Sequence, residues 1–397
     1  MTGVIYMITK TDSGIIKLDG RIDSNNAKQF EDELFAAVGE NADKAVLDAE
    51  ELEYISSAGL RVFLKLKKSL KGGVDVINVS NEVYDIFDVT GFTNLLDVKK
   101  ALKEFSVEGL EQVGIGATAK VYRIDEDKII KVFNPEVNAM MTEREGKMAK
   151  AAFVFGVPTA ISYDTVKVGG SLGVIYEMLN AEDVMHHILK EPEKTDKYVD
   201  MFAEFVKKVH TIEVDSPDFM SAKDNRIMGI KGAKGKGVLS DETLDKMIAV
   251  MESIPDRNTF IHSDCHIGNV MLQSDGELMF IDMGACGKGH PIFDMGSMYL
   301  VYNFFASNDL DFGARDMLHG FTREQAKHIW DRFIRSYLGT DDEEYVALAE
   351  EQIGAVVGAS IVLAALHIPG MFSKEALDAM QKLALDYYDK GIREICF

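Results

Sequence analysis

Between Phe260 and Gly284 the chain reads FIHSDCHIGNVMLQSDGELMFIDMG, and no other stretch restricts the fold as much. Short apolar runs around Val270 and Phe280 imply two strands of a hairpin. Asp264 and Asn269 lie five residues apart on the loop feeding the first strand, and Asp282 ends the second. Folding the hairpin gathers two carboxylates and an amide oxygen. Such a set offers hard oxygen ligands for Mg²⁺ and leaves one carboxylate to receive a hydroxyl proton, which is the layout of a phosphoryl-transfer site.

The partners that such a site needs lie upstream. Gly114, Gly116, Ala117 and Ala119 fall in a turn between two strands, where little or no Cβ bulk keeps the backbone from lying over phosphates. Lys131 sits on the next strand, residues 128–133, as a phosphate-contacting ammonium. Glu145 falls on the following helix, residues 142–153, placed to pair with Lys131.

Gly114-x-Gly116, Lys131, Glu145, His262-Ser-Asp-Cys-His-Ile-Gly-Asn269 and Ile281-Asp-Met-Gly284 together resemble the aminoglycoside phosphotransferase and choline kinase group of protein-kinase-like folds. The resemblance implies a bilobal α+β domain over residues 105–397, with an N-lobe at about 106–179 and a helical C-lobe at about 180–397. By the same resemblance Asp264 is the catalytic base, Asn269 and Asp282 are magnesium ligands, Lys131 contacts the phosphates of ATP or GTP, and Glu145 clamps Lys131. Residues 177–180 become the linker that grips the base by its backbone, through Glu177 and Leu179. His262 braces the loop, and Asp294 anchors loop backbone. His266 fills the second histidine of the H-x-D-x-H-x-x-N form, either as a satisfied loop residue or as a participant. Ala119 stands where a third glycine is usual and Ser263 where glycine is common, and neither change removes a required chemical group. The implied acceptor is a small hydroxyl compound.

Residues 1–104 alternate strand signals (4–8, 14–18, 44–47, 74–79) with helix signals (to 38, 58–70, 83–89), the first helix capped by Ser24 or Asn25. This alternation implies a small α/β unit with a mixed sheet. Leu18-Asp-Gly-Arg-Ile-Asp-Ser-Asn-Asn-Ala27, the run from Leu47 to Leu60, and Val83-Tyr-Asp-Ile-Phe-Asp-Val-Thr-Gly-Phe92 resemble the STAS domain of anti-sigma-factor antagonists and of sulfate transporters. The resemblance implies a regulatory, protein-binding domain, and phosphorylation at Ser57 by a partner kinase. Ser56 departs from the common aspartate and Ala58 from the frequent second serine. Ser57 therefore has two readings: a helix N-cap contributing roughly 1 kcal/mol, or a phosphate acceptor favoured by the helix N-terminus. A signalling protein that senses nucleotide, or a kinase acting on Ser57, stands as the alternative to a small-molecule kinase.

Composition narrows the partners. The formal charge of −22, of which −17 falls after residue 105, argues against nucleic acid and hints at a cationic acceptor such as an amino sugar or amino alcohol. The nearly uncharged run 353–368 is shorter than a bilayer span and reads as a buried helix, so no membrane is expected. Cys265, Cys286 and Cys396 have neither metal-ligand nor disulfide spacing, and the N-terminus lacks a secretory layout, which together suggest the cytoplasm. Residues 99–111 read as a charged helical hinge, and the lysine- and glycine-rich stretch 229–239 as a solvated loop or lid.

Overall fold

The computed structural model describes residues 6–116, 118–237, 239–308, 318–367 and 373–397, with the backbone alone over 361–367. The expected strand residues Val4 and Ile5, Ala117 of the glycine turn, Val238 and Ile368 lie outside the described residues. Two units are present, Met1–Phe105 and Ser106–Phe397.

In the first unit, strands β1 (Tyr6–Lys10), β2 (Ile16–Ile22), β3 (Lys44–Ile55), β4 (Gly73–Val79) and β5 (Asp97–Lys100) form one mixed sheet in that order. The β1–β2 pair is antiparallel and the others are parallel. Helices α1 (Ala27–Val38), α2 (Ser57–Ser69) and α3 (Asn81–Val89) connect them. Strand β2 shows the expected period of two: Ile16, Leu18 and Ile22 are buried while Lys17, Asp19 and Arg21 face solvent. Phe30, Phe63 and Phe87 bring the three helices into one buried aromatic row, with ring centroids 6.1 and 5.8 Å apart.

Several expectations need correction here. Asn26 is the cap residue of α1, not Ser24 or Asn25; its Oδ1 accepts the Asp23 N–H at 2.8 Å while Asp23 Oδ1 accepts from Asn25 and Asn26. The strand expected at 44–47 runs on to Ile55. Residues 99–111 are not helical. They open as β5 on the free edge of β4, because a charged run without an apolar stripe has nothing to bury as a helix. The cap of α2 is Ser56, whose extended backbone turns its Oγ back to the Gly59 N–H at 3.4 Å; Ser57 is the first helical residue and is exposed.

The second unit opens with a five-stranded antiparallel sheet ordered β6 (Gln112–Ile115), β7 (Ala119–Arg123), β8 (Lys128–Phe133), β10 (Ser171–Glu177) and β9 (Ser162–Val168), with α4 (Ala139–Val154) between β8 and β9. The strand β9 had no expectation. After β11 (Ala181–Asp183) the chain is mainly helical: α5 (Val184–Lys190), α6 (Thr195–Val209), α7 (Ala222–Ala233) and α8 (Asp241–Glu252). The short strand β12 (Phe260–Ile261), the hairpin β13 (Val270–Gln273) and β14 (Leu278–Phe280), and β15 (Gly287–Lys288) follow. Then come α9 (Ile292–Met298), α10 (Arg323–Leu338), α11 (Glu343–His367) and α12 (Lys374–Asp389). Among the described residues, no helix is long and apolar enough to cross a membrane. The apolar run expected to be a buried helix lies in α11, where Ile353, Val356 and Ala359 are buried.

The stretch 229–239 is not a free loop through its length: α7 continues to Ala233. Lys223 donates to the Ile254 carbonyl at 3.0 Å and pairs with Asp256, Arg226 stacks on the Phe293 ring at 4.6 Å, and Lys234 pairs with Asp245. These cations tie α7 to its neighbours.

Helices α11 and α12 approach so closely at Gly358 that a Cβ there would lie 2.3 Å from the Met380 carbonyl oxygen. Gly358→Ala is therefore expected to destabilise by about 1–3 kcal/mol through a backbone clash. Gly232→Ala, in α7 with nothing within 4 Å, is expected to be neutral or stabilising. Thermal unfolding of the two variants checks both, and equal midpoints would refute the close crossing.

Candidate active site

The N-lobe half of the site is built by β8 and α4. Ile130 points into the core and is 0% exposed, so the alternation of the strand puts Lys131 on the opposite face. Asn138 caps α4 by accepting the Met140 N–H at 2.9 Å, and the helix presents Glu145 to Lys131. Lys131 Nζ donates to Glu145 Oε1 at 2.7 Å and lies 3.3 Å from Asp282 Oδ1. Tyr176, at the end of β10, donates its hydroxyl to the same Glu145 oxygen at 3.1 Å. Burial works against the Lys131 ammonium, but Glu145 and Asp282 outweigh it and hold its pKa above the ordinary value. Burial likewise pushes the Glu145 carboxyl up, with Lys131 opposing the shift. Glu145 is buried, which excludes a solvated helix face.

The C-lobe half is the loop between β12 and β13. The Asn269 amide donates to the Asp264 carbonyl at 2.9 Å and to its Oδ2 at 3.2 Å, while Ser297 donates to Asp264 Oδ1 at 3.2 Å. The carboxylate is thereby oriented yet half exposed. His266 Nδ1 accepts the Gly268 N–H at 3.1 Å, which puts the ring hydrogen on Nε2, 3.8 Å from Asp264 Oδ2. Burial lowers the His266 pKa despite the nearby Asp264. The imidazole is thus tied to the loop backbone through Nδ1 and faces the Asp264 carboxylate with Nε2. His262 donates from Nε2 to the Ile281 carbonyl at 2.9 Å, just before Asp282.

Asp294, 1% exposed, anchors the loop from below: Oδ2 accepts from the His262 N–H at 2.9 Å and His210 Nε2 at 3.0 Å, and Oδ1 from the Ser263 N–H at 2.6 Å. Burial opposes its charge, but His210 and these N–H groups hold the carboxyl below the usual range. Ser263 and Asp282 both adopt left-handed backbone, at φ 68° and 62°, a conformation that non-glycine residues keep only when their surroundings over-determine it.

Asp264, Asn269, Asp282, Lys131 and Glu145 are therefore linked side by side, since the Ile281 N–H also donates to the Asn269 carbonyl at 3.0 Å. The other expected residues make contacts of their own. Gly114 and Gly116 sit at the β6–β7 turn, where the Gly116 N–H donates to the Ala119 carbonyl at 2.8 Å. The Glu177 side chain accepts from the Ile161 N–H at 3.3 Å, and Leu179 packs against the core. Ser57 lies in the first unit. Tyr176, Ser297, His210 and Arg144 escaped the sequence reading. Each acts by a long-range contact, and no spacing rule marks an isolated tyrosine, serine or arginine on a regular element.

Asp294→Asn removes the charge and offers an N–H where only acceptors are wanted, so it is expected to cost about 1.5–3 kcal/mol. The folded-state pKa lies below the ordinary 3.8, so the wild-type contribution is complete above that pH and is lost as pH falls through the folded value. Urea unfolding at neutral pH measures the difference, and identical midpoints would refute the anchoring role.

The STAS domain family matches residues 6–105, and the phosphotransferase enzyme family matches residues 109–331. BtrV of Bordetella bronchiseptica, whose name describes an anti-sigma factor antagonist, is 39% identical over 84 residues, covering 20% of this chain and 72% of that protein. Among solved structures, the ADP-bound aminoglycoside phosphotransferase APH(2'')-Ib shares 15% identity over 72% of this chain and 95% of its own, with a TM-score of 0.45. An ethanolamine kinase from Plasmodium vivax shares 18% identity over 70% and 82% of the two chains, with a TM-score of 0.43. With a STAS domain at its N-terminus and the Lys131–Glu145 and Asp264–Asn269–Asp282 groups behind it, the chain belongs to the phosphotransferase enzyme family.

Proposed function

We propose that the protein is a cytoplasmic kinase that transfers the γ-phosphate of ATP or GTP, with Mg²⁺, to a hydroxyl of a small cationic molecule, an amino sugar or amino alcohol. Its STAS domain acts as a regulatory, protein-binding module. The observation that carries this reading is the connected set running from Asp264 through Asn269 and Asp282 to Lys131 and Glu145.

The donor set suits magnesium. Asn269 Nδ2 is committed to Asp264, which leaves the amide Oδ1 as a hard oxygen to accompany the half-exposed Asp282 carboxylate. One carboxylate and an amide oxygen, completed by substrate phosphates and water, is how such sites hold this ion. When bound, it neutralises charge on the transferring phosphate. Asp264, oriented by Asn269 and Ser297, aligns the acceptor hydroxyl and takes its proton as the oxygen attacks phosphorus. Lys131, held by Glu145, places a fixed positive charge on the nucleotide phosphates. The β6–β7 turn with Gly114 and Gly116 covers those phosphates, and the backbone at Glu177 and Leu179 receives the base. The acidic balance of residues 106–397 favours a cationic acceptor.

A second reading has its own support. Ser56 takes the cap of α2, so the Ser57 hydroxyl is exposed in the first turn of a 13-residue helix, where the helix dipole favours a phosphate. Ser57 is then the acceptor in a signalling role.

Incubation with ATP and Mg²⁺, followed by intact-mass analysis and ADP release against amino alcohols and amino sugars, separates the two. Acceptor-dependent ADP release with no mass gain is the expected result, and Asp264→Asn should lower kcat by roughly 10²–10⁴-fold while nucleotide KM changes little. A gain of one phosphate that disappears in both Ser57→Ala and Asp264→Asn would establish the second reading instead. Nucleotide binding without turnover in the presence of any acceptor would refute both and favour a signalling protein that senses nucleotide.

A further inference from the structure

Arg144 is the neighbour of Glu145 on α4 and plays no part in the groups described so far. Its Nε donates to the Gly284 carbonyl and its Nη2 to the Cys286 carbonyl, each at 3.1 Å and each more than a hundred residues away in sequence. Gly284 is the middle residue of the short turn Met283–Ala285 that directly follows Asp282, and Cys286 closes that turn. A planar guanidinium with two parallel N–H groups suits such a pair of oxygens, and an ammonium does not.

The contact matters because of the conformation it secures. Asp282 sits in the left-handed region, φ 62° and ψ 59°, where a side chain other than glycine is strained. On its N-terminal side, His262 holds the Ile281 carbonyl and Asn269 holds the Ile281 N–H. On its C-terminal side, Arg144 supplies the restraint. The turn also lies directly on the clamp, since a Cβ at Gly284 would come 3.5 Å from Glu145. One helix thus carries, at adjacent positions, the carboxylate that fixes Lys131 and the cation that fixes the turn of Asp282.

We infer that Arg144 is a positioning residue that sets the Asp282 carboxylate for Mg²⁺ and couples that placement to the Glu145–Lys131 pair across the two lobes. The inference rests on the reading of Asp282 as a magnesium ligand. It makes Arg144 act on metal-dependent nucleotide binding and leaves metal-free nucleotide binding to Lys131 and the β6–β7 turn.

Binding of the non-hydrolysable nucleotide AMP-PNP to the full chain, by calorimetry across a Mg²⁺ titration and again in EDTA, tests it with wild type, Arg144→Met and Arg144→Lys. Outer groups that orient a metal ligand typically change metal affinity by 10–100-fold, so Arg144→Met should need roughly tenfold or more Mg²⁺ for half-saturation, with binding in EDTA unchanged. Arg144→Lys, which keeps the charge but not the parallel donors, should fall between it and wild type. A wild-type Mg²⁺ midpoint in Arg144→Met, even with a lowered melting temperature, would overturn the inference and leave a purely structural strap. Should Arg144→Met fail to fold, a wild-type midpoint in Arg144→Lys overturns it equally. If wild-type binding itself shows no Mg²⁺ dependence, the reading of Asp282 as a ligand falls first and this inference falls with it, a result separate from one in which only the variants behave as wild type.

Discussion

A part-buried lysine between two carboxylates is the constraint around which the second unit is arranged. Lys131 is brought out of water by β8, and an ammonium so placed stays charged only if opposite charge comes with it. Glu145 arrives from α4 and Asp282 from the turn after β14, so one cation requires three separate elements to keep their relative positions. Breaking such a group by removing one partner is far more damaging than replacing the whole by apolar residues, because the remaining charge is left uncompensated. The surrounding contacts follow from that requirement: Tyr176 completes the shell of Glu145, and Arg144 and His262 hold the chain on either side of Asp282.

A second buried charge organises the loop that carries Asp264. Asp294 gathers two backbone N–H groups and His210, and His210 passes the connection to the Tyr337 hydroxyl on α10 at 2.9 Å. The loop can then hold Ser263 in left-handed backbone, a strain of a kind that concentrates at functional sites. The loops that bear Asp264 and Asp282 are both strained and both pinned from neighbouring elements, so their geometry is a property of the packed lobe. In the first unit the parallel observation is smaller in scale. Gly59 packs so tightly that a Cβ would lie 2.7 Å from Ile22 and from Ile55, which seats the start of α2 and leaves Ser56 to cap it and Ser57 outside.

Legibility in the sequence tracked the range of the interactions involved. The β13–β14 hairpin, β8 and α4 could be read because alternation and helical spacing are local, and the motif around Asp264 is dense enough to name its residues. The helix expected over residues 99–111 failed because charge composition was taken for helix. The free edge of β4, which recruits Asp97–Lys100, is invisible to any local window. The lysine- and glycine-rich stretch looked like a loop because glycine is a poor helix former, yet α7 runs to Ala233 with Ile230 and Ala233 buried. Propensity is a weak prior that packing overrides.

The sequence by itself determined the identity of the chemical groups and their order along the chain: carboxylates, an amide, a lysine and a glutamate on elements whose periodicity follows from side-chain polarity. It also determined the two-part organisation, since the strand-helix alternation ends before a second strand-rich start. Only the tertiary structure decided which serine caps α2, that Tyr176 and Arg144 serve Glu145 and the Asp282 turn, and that Asp294 holds the Asp264 loop through its backbone. These depend on atoms more than thirty residues apart meeting within about 3 Å, or on one φ angle at Ser56, Ser263 or Asp282. Such meetings are set by how whole elements pack, and a pattern of residue types along a chain does not encode them locally.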